Sequence, residues 1–415
     1  MSTNEAALSA DGSSRPGAGS GYDRRQLVAW RNAVFVVFGV CGLASASWMS
    51  RNPAIRDLLH ANTAEMGWLV FGLAIGSVLG LGLSSQVVAA VGARRAIMGC
   101  LVVVPVGLTV AGLLTLTGSF PVVMLALALF GVGFGMCDVA MNVDGAAVER
   151  ELGRTVMPLF HAAFSFGTMA GAGLGALAER LAIPVSVHIT VMSAVTLVAG
   201  LIAVRFLQPH PPLPAEAPKV GNGWKARVAI WREPRTVLIG LIVLGMAFAE
   251  GSANDWLPLA SVDGHGVSNA TGAFVLGIFL TAMTAGRIGG VLLLDKFGRV
   301  PVLRVSAVLA VAGLLVFIFV PNPVLAVVGV VLWGLGASLG FPVGMSAAAD
   351  DPATAAARVS AVAMIGYFAF LVGPPLIGFL GQHFGLLHAL LLVLGVVLIA
   401  GVVSGAAAER GKRTS

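Results

Sequence analysis

The chain has 415 residues, of which 57% are hydrophobic and 11% charged, with a formal net charge of +6. A soluble globule carries about 25% charged residues, so this composition excludes an ordinary water-coated domain and points to lipid as the solvent. Cys41, Cys100 and Cys137 all fall in apolar runs with no metal-ligand spacing and no nearby histidine, which leaves them as small buried hydrophobes rather than a disulfide framework.

Residues 1–26 are polar and rich in Ser, Gly and Ala. They lack the charged start and apolar stretch of a signal peptide and read as a short disordered cytoplasmic tail. A spanning helix needs about 20 mostly apolar residues. Six such runs follow, at 27–49, 66–90, 96–116, 122–143, 159–182 and 185–206. Residues 207–235 are polar. They begin with a proline-rich spacer from Gln208 and continue with Trp224 and Trp231 among cations, the composition of a helix lying on the membrane surface. Six further runs cover 237–257, 273–294, 302–320, 324–347, 359–380 and 386–403. None alternates polar and apolar residues as barrel strands do. The expected fold class is therefore an all-α membrane protein with twelve transmembrane helices. Its expected domains are an N-terminal six-helix bundle (27–206), a cytoplasmic linker (207–235), a C-terminal six-helix bundle (236–405) and a tail (406–415).

Orientation follows from Lys and Arg, which accumulate on cytoplasmic loops. With the N-terminus inside, the inside segments hold 21 of the 25 cations and the outside loops only Arg51, Arg56 and Arg180. This predicts an N-in, C-in chain and argues against a basic patch for nucleic acid. Trp48, Trp68 and Trp256 fall at predicted outer helix ends, where an aromatic belt belongs. The halves also repeat: Gly92 in Val91-Gly92-Ala93-Arg94-Arg95 and Gly298 in Phe297-Gly298-Arg299 stand 206 positions apart, after runs 2 and 8. A parallel duplication of this kind, relating two bundles by a pseudo-two-fold axis, is one architecture of secondary transporters.

Asp138, Glu250, Asp255 and Arg287 interrupt the apolar runs. Ionisable groups at membrane depth are costly and mark a substrate, ion or proton route. Asp138 with Asn142, and Glu250 with Asn254, are each i, i+4 and share a helix face. Counting from the run starts at 1.5 Å per residue, Glu250 stands about 20 Å and Asp138 about 24 Å along. Either carboxylate is a candidate proton carrier, the alternative being a permanent ion pair. Arg287 either binds an anionic solute or pairs with a neighbouring acid. His161 is a candidate relay or a packing residue, Trp333 a solute-stacking ring or core filler, and Asp255 an interfacial acid beside Trp256. Arg94, Arg95, Asp144 and Arg154, with Glu149, Arg150 and Glu151, form one inner charge set. Asp295, Arg299, Asp350 and Asp351 form another. Both read as gate latches. The four-residue glycine spacings at Gly72, Gly76 and Gly80 and at Gly167, Gly171 and Gly175 give smooth faces for close helix approach.

Asp295-Lys296-Phe297-Gly298-Arg299 resembles the loop signature between helices 8 and 9 of the major facilitator superfamily. Gly373-Pro374-Pro375-Leu376-Ile377-Gly378 also looks like that family, and the resemblance runs from Leu27 to Val403. The first-half copy of the signature has Ala89 in place of its aspartate. Asp138-Val-Ala-Met-Asn142-Val-Asp144-Gly and Leu159-Phe-His161-Ala-Ala-Phe-Ser165-Phe-Gly167 are similar to a bacterial branch near the fucose and other sugar permeases, many of whose members have no assigned substrate. The resemblance implies that helices 1, 4, 7 and 10 line a central cavity and that helices 2 and 5 meet helices 11 and 8. Members of the sugar branch use acids in helices 1 and 4 for proton coupling. Asp138 matches the second, and helix 1 here has none.

The sequence therefore reads as a secondary transporter of a small polar solute in the inner membrane, proton-coupled and monomeric, with no cofactor or metal. A drug-type exporter of the same fold is the alternative, and a non-transporting sensor the third reading. No Walker sequence, paired-histidine motif or aqueous Ser-His-Asp arrangement supports an enzyme. Gly131-Val-Gly133-Phe-Gly135 lacks the preceding strand of a dinucleotide site.

Overall fold

The computed structural model describes residues 22–154, 156–209, 230–351 and 354–409, and the side chain of residue 356 is not described. The tail up to residue 21, the proline spacer and the Trp224 segment lie outside these residues. The described elements are α1 (Arg24–Met49), α2 (Asn52–Leu59), α3 (Thr63–Val91), α4 (Ala93–Leu114), α5 (Phe120–Leu152), α6 (Met157–Arg180) and α7 (Val185–Val204). They continue as α8 (Pro234–His265), α9 (Asn269–Phe297), α10 (Arg299–Phe319), α11 (Pro323–Ala337), α12 (Gly340–Ala348), α13 (Ala355–Phe384) and α14 (Leu386–Val403). The fold is all-α and multi-pass. Among the described residues, eleven helical segments are long and apolar enough to cross a bilayer, with α11 and α12 counted together. α6 has the length, at 24 residues, but its glycines, His161 and Ser165 dilute its hydropathy.

Local chemistry sets the helix ends. Asp23 with Gln26 and Asn62 with Glu65 form reciprocal capping boxes that satisfy the first free N–H groups of α1 and α3. Gly92 and Gly298 separate α3 from α4 and α9 from α10 at φ 81° and 75°, and their N–H groups bond to Val88 O and Leu294 O. Glycine enters this region of φ without a Cβ clash, so the repeat seen in sequence is also a repeat in backbone geometry.

Packing repeats likewise. In the first half α3 packs on α5, α1 on α6, α4 on α5 and α7, and α1 on α7. In the second half α9 packs on α11, α8 on α13, α10 on α11 and α14, and α8 on α14. The halves meet through α3 against α13 and α6 against α9, the pairing of helices 2 and 5 with 11 and 8 that the resemblance implied.

The glycine faces lie elsewhere than this seam. Gly76 and Gly80 of α3 press on the backbone of Ala128 and Val132 in α5, and Gly167 of α6 presses on Gly39 of α1. They lock helices together within one bundle, because close backbone approach maximises dispersion contacts where lipid gives no hydrophobic drive. The inter-bundle approach uses Gly67 of α3 and Gly378 of α13 instead. A Cβ on Gly67 would stand 2.8 Å from Pro374 O and 3.2 Å from Gly378 Cα.

Candidate functional site

One end of the molecule joins the bundles. Arg56 of α2 donates from Nη1 to both carboxylate oxygens of Asp263 on α8, at 2.5 and 2.6 Å. Asn52 Nδ2 donates to Asp255 O at 3.0 Å, and Asn269 Nδ2 to Asp57 Oδ2 at 3.1 Å. Thr63 N donates to Gln382 Oε1 at 3.0 Å, beside the Gly67–Gly378 approach. The α1–α2 turn is held down by Arg51, which is 2% exposed, pairs with Glu179 at 2.8 Å and donates to Ile183 O. The sequence reading counted Arg51 and Arg56 only as loop charges.

At the opposite end, among the described residues, no hydrogen bond or ion pair links the bundles. Among the described residues, the bonds made by the two charge sets expected to latch there join residues of the same half. Asp144 is fully buried and accepts from Trp30 Nε1 at 2.7 Å, pinning α1 to α5. Arg94 lies within reach of the Asp144 charge, while Arg95 and Arg154 are exposed. Glu149 Oε2 accepts from Val156 N and Met157 N and so caps the start of α6. In the second half Arg299 turns to Asp350 at 2.6 Å rather than to Asp295, which is exposed. Arg235 joins Asp350 at 2.8 Å, and Arg358 binds Glu233 at 2.7 Å and Asp351 at 3.4 Å. Burial raises the Asp350 carboxyl, but the bonds and charges of Arg299 and Arg235 outweigh it and hold it below the ordinary carboxylate value. These networks fasten the ends of α8, α10 and α13 into one block.

Between the two ends lie the intramembrane groups. Glu250 and Arg287 are brought together: Arg287 Nη2 donates to Oε1 and Oε2 of Glu250, at 2.9 Å each. Arg287 Nε donates to Ser338 O at 3.3 Å. The sequence makes that carbonyl available. Its i+4 residue is Pro342, which has no N–H, so the helical bond cannot form. The predicted tenth span accordingly breaks into α11 and α12 at Ser338 and Leu339. His161 of α6 packs edge-on against Phe38 of α1 with 5.2 Å between ring centroids, and it interacts electrostatically with Arg287 across the bundles. Asp138 keeps its i, i+4 partner: Asn142 Nδ2 donates to Asp138 O at 2.8 Å and stands 3.4 Å from Oδ1. Tyr367 of α13 is within range of the Asp138 charge. Asn254 is part-buried with an Oδ1 lacking a partner among the described residues.

The structure decides between the two readings of Trp333 and corrects those of Asp255 and the tryptophan belt. Trp333 presents no face to a solute here: it is fully buried, packs against Phe279 and Phe317, and donates from Nε1 to Ala249 O at 3.1 Å. Asp255 is not at a water interface, because α8 continues to His265 and leaves it 8% exposed at the seam with α2. Trp48 and Trp256 are buried too, so of the three belt candidates only Trp68 is exposed, at 51%. The missed seam residues carried one readable signal, the paired charges Arg56 and Asp57. Gly67 carried none, and Gly378 was read only as part of the Gly373–Gly378 motif, without a partner.

Comparison with known proteins agrees with this architecture. A family model described as Major Facilitator Superfamily matches residues 33–368 and 292–413. The uncharacterized transporter y4wD of Sinorhizobium fredii is 32% identical over 385 residues, covering 90% of this chain and 99% of the relative. Among solved structures, the nucleoside transporter NupG superposes with a TM-score of 0.71 at 16% identity, covering 93% of this chain and all of that one. A variant of the E. coli fucose:proton symporter FucP superposes with a TM-score of 0.63 at 14% identity, with 93% and 100% coverage.

Proposed function

The chain belongs to the Major Facilitator Superfamily and is a secondary-active transporter of the bacterial inner membrane; on that premise we propose that it moves a small polar, sugar-like solute in exchange with, or together with, protons by alternating access. The proposal takes α6 as a twelfth span, with both termini cytoplasmic and bundles at 27–206 and 236–405 joined by the 207–235 linker. Charge asymmetry supports it, since the α2 end carries the few outside cations and the other end the Arg-rich networks. On this reading the bundles are closed on the periplasmic side, and one chain suffices as the working unit.

The observation that carries the proposal is the placement of Asp138–Asn142 and Glu250–Arg287 on facing bundles, each part-buried, beyond the end that α2 joins. Glu250 is already engaged by the guanidinium of Arg287. Asp138 faces no cation within hydrogen-bonding distance among the described residues, so we assign it the proton-carrying role. Burial disfavours an ionised carboxylate unless a charge compensates it, and movement between dry and wet settings can then drive proton uptake and release.

Purified protein in liposomes tests this. A thermal-shift screen of soluble metabolites supplies a solute, and its uptake is followed with and without an inward proton gradient. Asp138→Asn is expected to abolish gradient-driven accumulation while retaining solute exchange. Unchanged gradient-driven uptake in Asp138→Asn removes the proton assignment. Responses only to lipophilic cations replace the polar-solute reading with an exporter.

A further inference from the structure

The transporter reading leaves the solute's chemistry open, and the surroundings of Arg287 bear on it. Arg287 stands where α6, α8, α9 and the α11–α12 break converge, so it faces the interior between the bundles rather than lipid. Its contact with Glu250 uses one nitrogen, Nη2, on both carboxylate oxygens. A guanidinium binds a carboxylate best through two nitrogens on two oxygens, and that mode is unused here. Nη1 makes no hydrogen bond among the described residues, and the side chain is 34% exposed, against 18% for Glu250. The Ser338 carbonyl, freed by Pro342, anchors Nε from behind. The cation is thus fixed in position with one edge open.

The uncommitted Nη1 donor favours an acid over a neutral solute. Arg287 spends Nη2 on Glu250 and Nε on Ser338 O. A carboxylate that engages Nη1 gains a charge-assisted hydrogen bond, about twice as strong as the neutral one a polyol would make. We propose that the Nη1 edge of Arg287 is the recognition point for a carboxylate-bearing solute, of the sugar-acid or hydroxy-acid class, which competes with Glu250 for the guanidinium. This rests on the transporter reading, and the experiment separates the two.

The first probe is sodium formate on detergent-purified Glu250→Ala. Loss of the internal carboxylate is expected to lower the thermal midpoint. Formate is expected to raise it again, while formamide and sodium chloride at the same concentration do not. The double variant Glu250→Ala, Arg287→Gln is expected to lose the response. If Glu250→Ala does not fold, Glu250→Gln, which keeps the side-chain volume, takes the same titration. No formate-specific rise means that Arg287 is closed to anions, and the proposal falls. The second probe is a panel of small hydroxy acids and sugar acids against their primary amides on the unmodified protein. Midpoint shifts with the acids alone, lost in Arg287→Gln, support the proposal. Shifts with amides or other neutral solutes overturn it while the transporter reading stands. No shift and no uptake with any solute refutes both.

Discussion

Substituting Gly378 with alanine tests whether the α3–α13 approach is what holds the bundles together at the α2 end. A Cβ at this position would lie 2.9 Å from Gly67 Cα and 2.9 Å from Thr63 O. Both are backbone atoms, so no side chain can swing aside. Overpacking of a tight contact costs about 1–3 kcal/mol. That cost arises only when α3 and α13 are in contact, so it destabilises the closed seam relative to an opened one. A coupling of about 1–3 kcal/mol corresponds to roughly a 5- to 150-fold change in the ratio of the two states. Spin labels at the exposed positions His60 and Ser268, one on each bundle, read the seam directly by electron–electron distance measurement. The native cysteines are buried and leave the labelling selective. Gly378→Ala is expected to move the distance distribution towards longer values. Gly395→Ala, where the new methyl meets nothing within 4 Å, is expected to leave it unchanged. Identical distributions for the two variants refute the argument that this glycine pair sets the closure.

Three further outcomes follow from the networks at the two ends of the molecule. In the same labelled protein, a double-mutant cycle of Arg56→Ala and Asp263→Ala should show a coupling of about 0.2–1 kcal/mol favouring closure, weakened by salt, because the pair is partly exposed. A coupling of zero would mean that α2 only rests on α8. Trp30→Phe removes a donor from the buried Asp144 carboxyl, and a hydrogen bond contributes about 0.5–1.5 kcal/mol. Its thermal midpoint in detergent should fall, with no change if the bond is dispensable. Asp350 has a carboxyl held below its ordinary value, so its contribution is present at neutral pH and is lost as pH falls below about 4 through the folded value. Asp350→Asn should lower stability at neutral pH and flatten the acid limb of the midpoint-against-pH profile, and an unaltered acid limb would show that Asp350 does not shape it.

The apolar runs, the glycine pair Gly92 and Gly298 and the one-sided distribution of Lys and Arg were readable in the sequence, because each follows from the solvent or the backbone acting on one segment at a time. Lipid selects length and hydropathy locally, and a positive φ selects glycine locally. The i, i+4 pairing of Asp138 with Asn142 was readable for the same reason, since one helix turn brings them together. Partnerships between segments were not. Arg287 with Glu250, Arg56 with Asp263 and Arg299 with Asp350 join residues 37, 207 and 51 positions apart, and many pairings of the same charges satisfy the sequence equally well. Tertiary packing chose among them, because a side chain's partner is set by which helix faces it. The same packing buried Trp333 against Phe279 and Phe317 and set the close inter-bundle approach at Gly67 and Gly378. Composition fixes that a helix is buried in the membrane, whereas only the arrangement of its neighbours fixes which of its faces is against protein, lipid or water.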